Sequence, residues 1–372
     1  MREWFGPGGG GAGREARGRG RHQLTGNLPV SWEGSPPGVR VKGSPCPIAN
    51  PLPAPRAAAP RPSGRARFRA ARPVAVPPRR EGACDHALLD QHSELRDFAD
   101  ARTVADVAVA AERAGWDALF LWDHVVHVKS RRRTFGDPWM LLTAAALATS
   151  RIRLGTMVTP VARRRPQQLA RQVATLDAIS GGRVVFGAGL GGPIEDEYGS
   201  FGEPTDPAVL AERLDEGLDL LGRYWTGEPV THDGPHYRVE DVTLLPAPVQ
   251  RPRPPVWIAG FWPNRRPMRR AARWDGAVPL FGQGSHGAAP PAGEVRDLAA
   301  YVREQRGDRA DEPFEIVVGG ASPAGAAQAR DLLGPLADAG ATWWDERQPI
   351  DGTDLDKLAP VLHRIDQGPP AL

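Results

Sequence analysis

Cysteine is nearly absent from this chain of 372 residues, and long apolar runs are missing. Two cysteines, Cys46 and Cys84, exclude a disulfide scaffold and a multi-cysteine zinc site, and they agree with a reducing cytoplasm. No apolar run approaches the roughly 18–20 residues of a membrane span, so we expect no membrane partner. The N-terminus lacks the continuous apolar segment of a secretory signal. The sequence therefore predicts a cytoplasmic location.

Lysine is also scarce, and its scarcity goes with an uneven distribution of charge. Only 3 lysines occur, so almost all of the 47 basic residues are arginine. Residues 1–80 carry 15 basic and 3 acidic side chains, whereas the rest of the chain carries 32 basic and 41 acidic ones. A basic head therefore precedes an acidic body, and the net charge of +3 describes neither part.

The head, residues 1–82, has the composition of a disordered extension. Its first 80 residues hold 13 Gly and 14 Pro, which exceeds the level of about 25–30% that is typical of low-complexity chain. Three interpretations remain open: a basic arm for nucleic acid, a targeting peptide, or leader DNA read as protein from a misassigned start. Aromatic side chains for base stacking are scattered, which makes nucleic acid an unlikely partner on this pattern.

The body, residues 83–372, alternates short apolar strands with amphipathic helices. Strands are predicted at residues 118–122, 152–158, 183–189, 255–259, 276–280, 314–318 and 341–344. Helices are predicted at residues 103–113, 138–149, 166–179, 207–224, 263–273, 293–304, 324–337 and 353–365. Strict alternation of this kind, over about 290 residues, favours a TIM (β/α)8 barrel in a single domain.

An eighth strand, which should come first, is poorly marked. The only candidate is residues 86–89, a short and weakly apolar segment that looks degraded. An open, doubly wound sheet would tolerate seven strands and is the alternative fold. A frameshift upstream of about Arg96 is one hypothesis for this anomaly, and it would leave the barrel incomplete and the chain inactive.

An ordered series of segments carries a family resemblance. The segments are residues 111–117, 121–124, 153–160, 176–183, 185–189 and 255–260. Over about residues 97–345 the chain resembles the bacterial luciferase-like, flavin-dependent oxidoreductases. The resemblance implies a barrel that binds reduced FMN or the 5-deazaflavin coenzyme F-420 at its C-terminal face. It also implies monooxygenation or hydride transfer on a small organic substrate, and a homodimer formed through helices.

Asp123 and His124 are the predicted catalytic residues. They end a strand, so a barrel would place them at the active-site mouth. An imidazole there can hold a proton near neutral pH or donate to an oxygen atom. The resemblance implies that this histidine is catalytic in deazaflavin members. The alternative is that Asp123 caps the next turn and His124 only packs. No ligand cluster joins His124 and His127, so no metal site is predicted.

The predicted cofactor-binding positions include three glycines at or just beyond the end of the strand predicted at residues 183–189. They are Gly187, Gly189 and Gly191. The run is similar to a dinucleotide fingerprint, but three acidic residues follow it, which are poor neighbours for a pyrophosphate. Close approach of the backbone to a planar ring is the favoured interpretation, and a flexible strand exit is the alternative. Relatives that use glucose-6-phosphate place a glutamate where this chain has Leu190, which argues against that substrate.

Two further segments complete the predicted cofactor site. The resemblance places Met157, Val158 and Thr159 under the ring, with a non-prolyl cis peptide after Met157. The segment Gly260, Phe261 and Trp262 precedes a helix expected to begin near Pro263, whose N-terminus would bind phosphate beside four arginines. The alternative is a solvated basic helix face.

Other parts of the body carry weaker signals. The pair Gly319-Gly320 is a second candidate for phosphate, because barrels often bind phosphate near strands seven and eight. Residues 226–250 are expected to form a hairpin or lid, and the loop 190–206 to close over the substrate. We expect Trp343 and Trp344 to serve the packing of the barrel rather than to form a stacking platform. The predicted function is a luciferase-like oxidoreductase, with a non-catalytic flavin-binding or partner-binding barrel and a nucleic-acid binder as alternatives.

Overall fold

The computed structural model describes residues 85–90, 98–282, 288–347 and 358–370, the first range in its backbone only. The predicted disordered head and its boundary after residue 82 lie outside these ranges, as does the suggested frameshift region at Arg96. Within the described ranges, every helix is too short or too polar to span a bilayer.

Eight parallel strands close into a barrel, and two others form a hairpin. The strands are β1 (Asp85–Asp90), β2 (Ala118–Leu121), β3 (Arg153–Pro160), β4 (Val184–Gly189), β5 (Val230–Asp233), β6 (Arg238–Val242), β7 (Val256–Trp262), β8 (Gly276–Phe281), β9 (Glu315–Gly320) and β10 (Trp343–Glu346). Around the barrel the order is β1-β10-β9-β8-β7-β4-β3-β2. The predicted TIM barrel is confirmed, and the alternative of an open sheet is wrong.

A helix follows every barrel strand. The helices are α1 (Ala101–Ala114), α2 (Pro138–Ala148), α3 (Pro166–Ser180), α4 (Ile194–Glu197), α5 (Pro207–Tyr224), α6 (Arg265–Ala271), α7 (Ala292–Arg306), α8 (Ala326–Asp338) and α9 (Leu358–Asp366). Helix α1 is capped by Asp100, whose carboxylate accepts from the Arg102 N–H at 2.9 Å, and it begins two residues before the predicted start at residue 103. It ends before Gly115, which takes the left-handed conformation at φ 97°.

The weakly apolar first strand is present in the barrel. Ala87 pairs in parallel register with Ala118 of β2 on one side and with Asp345 of β10 on the other. These two ladders close the barrel, so the predicted loss of a strand is not found. A segment with little apolar character is accommodated here because pairing on both edges satisfies its backbone groups.

Two apolar layers lie on the two sides of the barrel sheet. Phe120, Trp257 and Trp343 are buried in the inner cluster, with the rings of Trp257 and Trp343 5.1 Å apart. Trp344, the next residue of β10, is buried in the outer cluster between strands and helices. This alternation is what a strand covered on both faces requires, and it confirms that the two tryptophans pack.

The hairpin predicted within residues 226–250 is confirmed. Strands β5 and β6 are antiparallel and lie against α5. Glu216 of α5 accepts from the Tyr237 N–H at 2.9 Å and lies 2.8 Å from His232 Nε2, which ties the hairpin to that helix.

Close contact between β3 and β4 makes one glycine indispensable. A Cβ added to Gly155 would lie 1.9 Å from the Val185 carbonyl oxygen and 3.0 Å from the Phe120 ring. We therefore expect Gly155→Ala to lower the free energy of unfolding by about 3 kcal/mol or more, as in severe overpacking. Urea unfolding followed by circular dichroism measures the change.

The matched control is Gly293→Ala in the first turn of α7, where an added Cβ meets nothing within 4 Å. Alanine forms helix better than glycine, so this variant should be neutral or gain up to about 1 kcal/mol. Equal stability of the two variants would contradict the proposed clash.

Candidate active site

Buried charge at the end of β2 organises the mouth of the barrel. Asp123 is 2% exposed and accepts from Thr159 Oγ1 at 2.9 Å. Arg163 Nη2 donates to it at 2.8 Å, and Arg164 donates at 2.8 Å through Nε and at 2.6 Å through Nη2. Both oxygens of the predicted catalytic Asp123 are therefore engaged, which makes this side chain an anchor for the segment after β3.

His124, the next residue, is held by a carboxylate that the sequence analysis missed. Its Nδ1 lies 2.9 Å from Glu197 Oε1, and its side chain is 13% exposed. The rings of Trp122, His127 and Phe135 surround it, with centroids 4.8–5.8 Å from the imidazole. His124 therefore lies between a charged partner on one side and aromatic rings on others.

Glu197 is completely buried although it belongs to an acidic run. It accepts from the Val126 N–H at 3.1 Å and from the Val125 N–H at 3.3 Å, and it forms an ion pair with Arg163. Helix α4 turns this one carboxylate of the run inward. Asp196, its neighbour, instead accepts from the Lys129 N–H at 2.9 Å at the surface. A run of three acidic residues gave no signal of which one would be buried.

The surroundings of His124 set its protonation state. Burial, together with the charges of His127 and Arg163, lowers the pKa of His124 to about 3, and the charge of Asp123 opposes this shift. The ring is therefore neutral at physiological pH and holds no extra proton there. Glu197, with an arginine and two backbone donors on it, is an acceptor. Nδ1 consequently carries the hydrogen, and Nε2 is left as the acceptor of the ring.

The segment Met157, Val158 and Thr159 ends β3 next to this cluster. The peptide bond between Met157 and Val158 is cis, as the family resemblance implied, and the register with β4 shifts between Thr156 and Thr159. Met157 is buried in the inner cluster, Val158 is half-buried against it, and Thr159 bonds to Asp123. The predicted bulge is present, with Val158 as its more accessible side chain.

The glycines at the end of β4 and just beyond it make room for this bulge. A Cβ on Gly187 would lie 2.1 Å from the Thr156 carbonyl oxygen, and one on Gly189 would lie 2.8 Å from Val158. Gly191 has φ 73°, and its added Cβ would lie 2.6 Å from Pro160. Packing of the chain against itself therefore requires all three glycines, whatever else they contact.

The helix predicted beyond β7 is present but short. Helix α6 begins at Arg265, two residues after Pro263, and is seven residues long. The guanidinium of Arg270 is nearly buried and donates twice to Asp215 at 2.7 Å, while Arg265 stacks on Trp262 at 4.6 Å. Two of the four arginines are thus used within the protein. Gly260 is needed because its Cβ would lie 2.2 Å from Pro267.

Trp262 and Phe261, the other predicted residues there, complete the end of β7. Trp262 is 5% exposed and belongs to the outer core, and Phe261 is half-buried. In the barrel order, β2, β3, β4 and β7 are consecutive neighbours. All eleven predicted site residues therefore lie at or just beyond the carboxyl ends of four adjacent strands, the edge where barrel enzymes place their active sites.

Apolar side chains line the inner side of this mouth. Trp122, Val158 and Ala259 are half-buried and pack on top of the inner cluster. The loop 190–206 is held in part by Tyr198, which is fully buried and whose hydroxyl donates to the Leu190 carbonyl at 2.6 Å. Across the described residues, no group of three histidine, cysteine, aspartate or glutamate side chains could hold a metal ion.

Comparison with known proteins finds a matching family and several relatives. The family model described as luciferase-like monooxygenase matches residues 85–339. An uncharacterized protein of Sinorhizobium fredii is 33% identical over 232 residues, 62% of each chain. An F420-dependent glucose-6-phosphate dehydrogenase of Nakamurella multipartita is 37% identical over 161 residues, 42% of this chain and 44% of that protein. The chain thus aligns with between 44% and 62% of the length of these curated relatives.

Solved structures agree on the fold. The FMN-bound oxygenating constituent of 3,6-diketocamphane monooxygenase from Pseudomonas putida has a TM-score of 0.61 at 17% identity, over 77% of this chain and 96% of that one. An F420-dependent secondary alcohol dehydrogenase in complex with an F420-acetone adduct has a TM-score of 0.60 at 16% identity, over 76% and 99%. At these identities the likeness establishes the barrel fold alone.

The buried neutral histidine has a consequence for stability. The pKa of His124 is about 3 in the folded protein and about 6.5 in an unfolded chain, so only the unfolded chain gains this proton between those pH values. Its contribution to stability is present above pH 6.5 and is lost as the pH falls toward 3. His124→Asn should therefore lose less stability than the wild type between pH 7.5 and 4.5, by on the order of 2 kcal/mol.

Urea unfolding at the two pH values gives this difference directly. The control is His236→Asn, because His236 lies in the hairpin, 3.2 Å from the exposed carboxylate of Glu212, and outside the barrel mouth. Parallel pH dependence in the wild type and His124→Asn would contradict a buried neutral ring.

Proposed function

This chain belongs to the luciferase-like monooxygenase family, and from that membership we propose that it is an oxidoreductase acting on a small organic substrate. Reduced FMN or the deazaflavin coenzyme F-420 would be its cofactor, since relatives of both kinds are similar to it. When bound, the cofactor supplies the redox chemistry, while the protein supplies orientation and proton handling.

The neutral His124 at the barrel mouth is the observation that carries this proposal. Its Nδ1 is committed to Glu197, so Nε2 is the atom that accepts a proton or a hydrogen bond from the substrate. Burial that lowers the pKa of His124 keeps this atom unprotonated at neutral pH. Asp123 has a positioning role. It binds Arg163, and Arg163 in turn pairs with Glu197, the partner of His124.

The residues at the mouth suit a planar aromatic cofactor. The half-buried side chains of Trp122, Val158 and Ala259 offer an apolar surface against which an isoalloxazine ring could pack. The predicted cofactor-binding residues surround this surface from adjacent strands: Met157, Val158, Thr159, Gly187, Gly189, Gly191, Gly260, Phe261 and Trp262. We assign them to the cofactor on that placement.

Glucose-6-phosphate is not the substrate we propose, although relatives act on it. Leu190 stands where those relatives were expected to have a glutamate. Its side chain packs against the small apolar cluster of Ala162, Tyr198 and Leu210, so no carboxylate is presented from that position.

The non-catalytic alternative rested on a missing strand, and β1 is present. A cytoplasmic location and the absence of nucleic-acid and membrane partners stay predictions.

Titration of the full-length protein tests the cofactor. Fluorescence titrations with FMN and with coenzyme F-420 should show saturable binding of one of them. Val158→Asp, which puts a charge on the apolar surface, should weaken that binding at least tenfold. Leu245→Asp, at a residue that is 70% exposed outside the barrel, should leave it unchanged. Binding of neither cofactor by a protein that still melts cooperatively would refute the proposal.

We also propose that the protein is a homodimer joined through α2. This helix is apolar on its outer side as well as its inner side, with Met140 59% and Leu147 74% exposed. Met140 also lies at the edge of an open groove of about 820 Å³ beside α3, whose lining residues are mostly polar and include several arginines. A helix that is hydrophobic all round is normally covered, which a second copy would achieve.

A charge on this face should separate the copies. We expect Leu147→Glu to change a dimer into a monomer in sedimentation velocity, because an unpaired carboxylate in an apolar interface is costly to desolvate. Val249→Glu, at another exposed apolar residue, should leave the dimer intact. A monomeric wild type at micromolar concentration would contradict the proposal.

A further inference from the structure

An arginine that the function described above does not use faces the barrel interior at the end of β10. Side chains alternate along this strand, with Trp343 in the inner cluster and Trp344 in the outer one. The same period places Asp345 and, one residue beyond the strand, Arg347 on the inner side. Asp345 is fully buried, and the Arg347 side chain is 9% exposed. A carboxylate therefore lies inside the barrel below a guanidinium.

Contacts within the described residues use only one of the three nitrogen atoms of this guanidinium. Arg347 Nε donates to Asp345 Oδ2 at 2.6 Å, and the Arg347 backbone N–H donates to the Gly320 carbonyl at 2.8 Å. Its terminal nitrogens, Nη1 and Nη2, make no hydrogen bond to any residue of the described ranges. Asp345 Oδ1 likewise has no partner there. The bonds that Arg347 makes within the described residues therefore leave these two donors available to an acceptor from outside the protein.

The neighbouring strand is shaped to admit this side chain. A Cβ on Gly319 would lie 2.5 Å from Arg347 Nε and 2.7 Å from its Cζ, so only glycine leaves room for the guanidinium at the end of β9. Gly319 pairs in register with Asp345. Three residues on two adjacent strands thus hold one cation in a defined place. The pair Gly319-Gly320, noted in the sequence, makes space for this arginine.

We propose that Arg347 binds a phosphate or carboxylate group of a ligand at the carboxyl ends of β9 and β10. Asp345 orients the guanidinium through Nε and leaves the two terminal nitrogens as a fork, the geometry that matches two oxygens of an oxyanion. These are the seventh and eighth strands of the barrel, where barrels frequently bind phosphate. The proposal does not depend on which flavin the protein uses.

Inorganic phosphate, with acetate as the carboxylate probe, tests the site by calorimetric titration of the full-length protein. Arg347→Gln should weaken binding of the favoured anion at least tenfold, and Arg347→Lys should weaken it less because the charge remains. Arg303→Gln, at a residue near the C-terminal end of α7 whose side chain is 72% exposed, should leave it unchanged. Anion binding that is absent in the wild type, or equal in Arg347→Gln, would overturn the proposal.

Two additions keep the result interpretable. Arg347→Gln leaves Asp345 unpaired, so the double variant with Asp345→Asn removes that charge and should show the same loss of anion binding while melting like a folded protein. Comparison of FMN with riboflavin, which lacks the phosphate, then identifies the source. If Arg347→Gln loses affinity for FMN but not for riboflavin, the anion that Arg347 binds is the cofactor phosphate. If its affinity for both flavins is unchanged, that anion is a group of the substrate. An effect equal on both flavins would count against an anion site.

Discussion

The barrel mouth depends on the buried pairing of two carboxylates with two guanidinium groups. Asp123 and Glu197 are the acids, and Arg163 and Arg164 are the bases. Taking each charge out of water costs several kcal/mol, which only close pairing and further hydrogen bonds offset. These groups come from the segments after β2, β3 and β4. The ion pairs between them therefore hold three separate loops against one another. Removing any one would leave an uncompensated buried charge.

This cluster also decides the chemical state of the histidine. A carboxylate next to an imidazole ordinarily favours the protonated ring. Glu197, however, shares its charge with Arg163 and with two backbone N–H groups, and the positive charge of Arg163 opposes protonation of His124. Glu197 thus orients the ring without charging it. One arginine therefore serves both the folding of the mouth and the basicity of its central residue.

The strands and most helices were readable from the sequence because their signals are local. Apolar runs mark seven barrel strands, and aspartate followed by proline marks the starts of α2 and α5. The first strand was weakly marked because its place depends on pairing with β2 and β10, which are distant in sequence. The position of His124 at a strand end was likewise predictable. Its partner Glu197 was not, because 73 residues separate the two and nothing local distinguishes that carboxylate from its acidic neighbours.

The glycines show why a motif can indicate a site and still not explain it. In a dinucleotide-binding turn, glycine allows a phosphate to approach the backbone. Here the atoms that would meet an added Cβ on Gly187 and Gly189 belong to β3. The glycines therefore shape the bulge that presents Val158, and this packing role accounts for them whatever ligand the site holds. Discrimination between ligands must come from side chains that face the mouth with unused surface or unused donors. Trp122 and Val158 offer apolar surface of that kind, and Arg347 offers donors. We therefore expect the side chains at these positions, and not the glycines, to determine how the substrate of this chain differs from those of relatives with the same barrel.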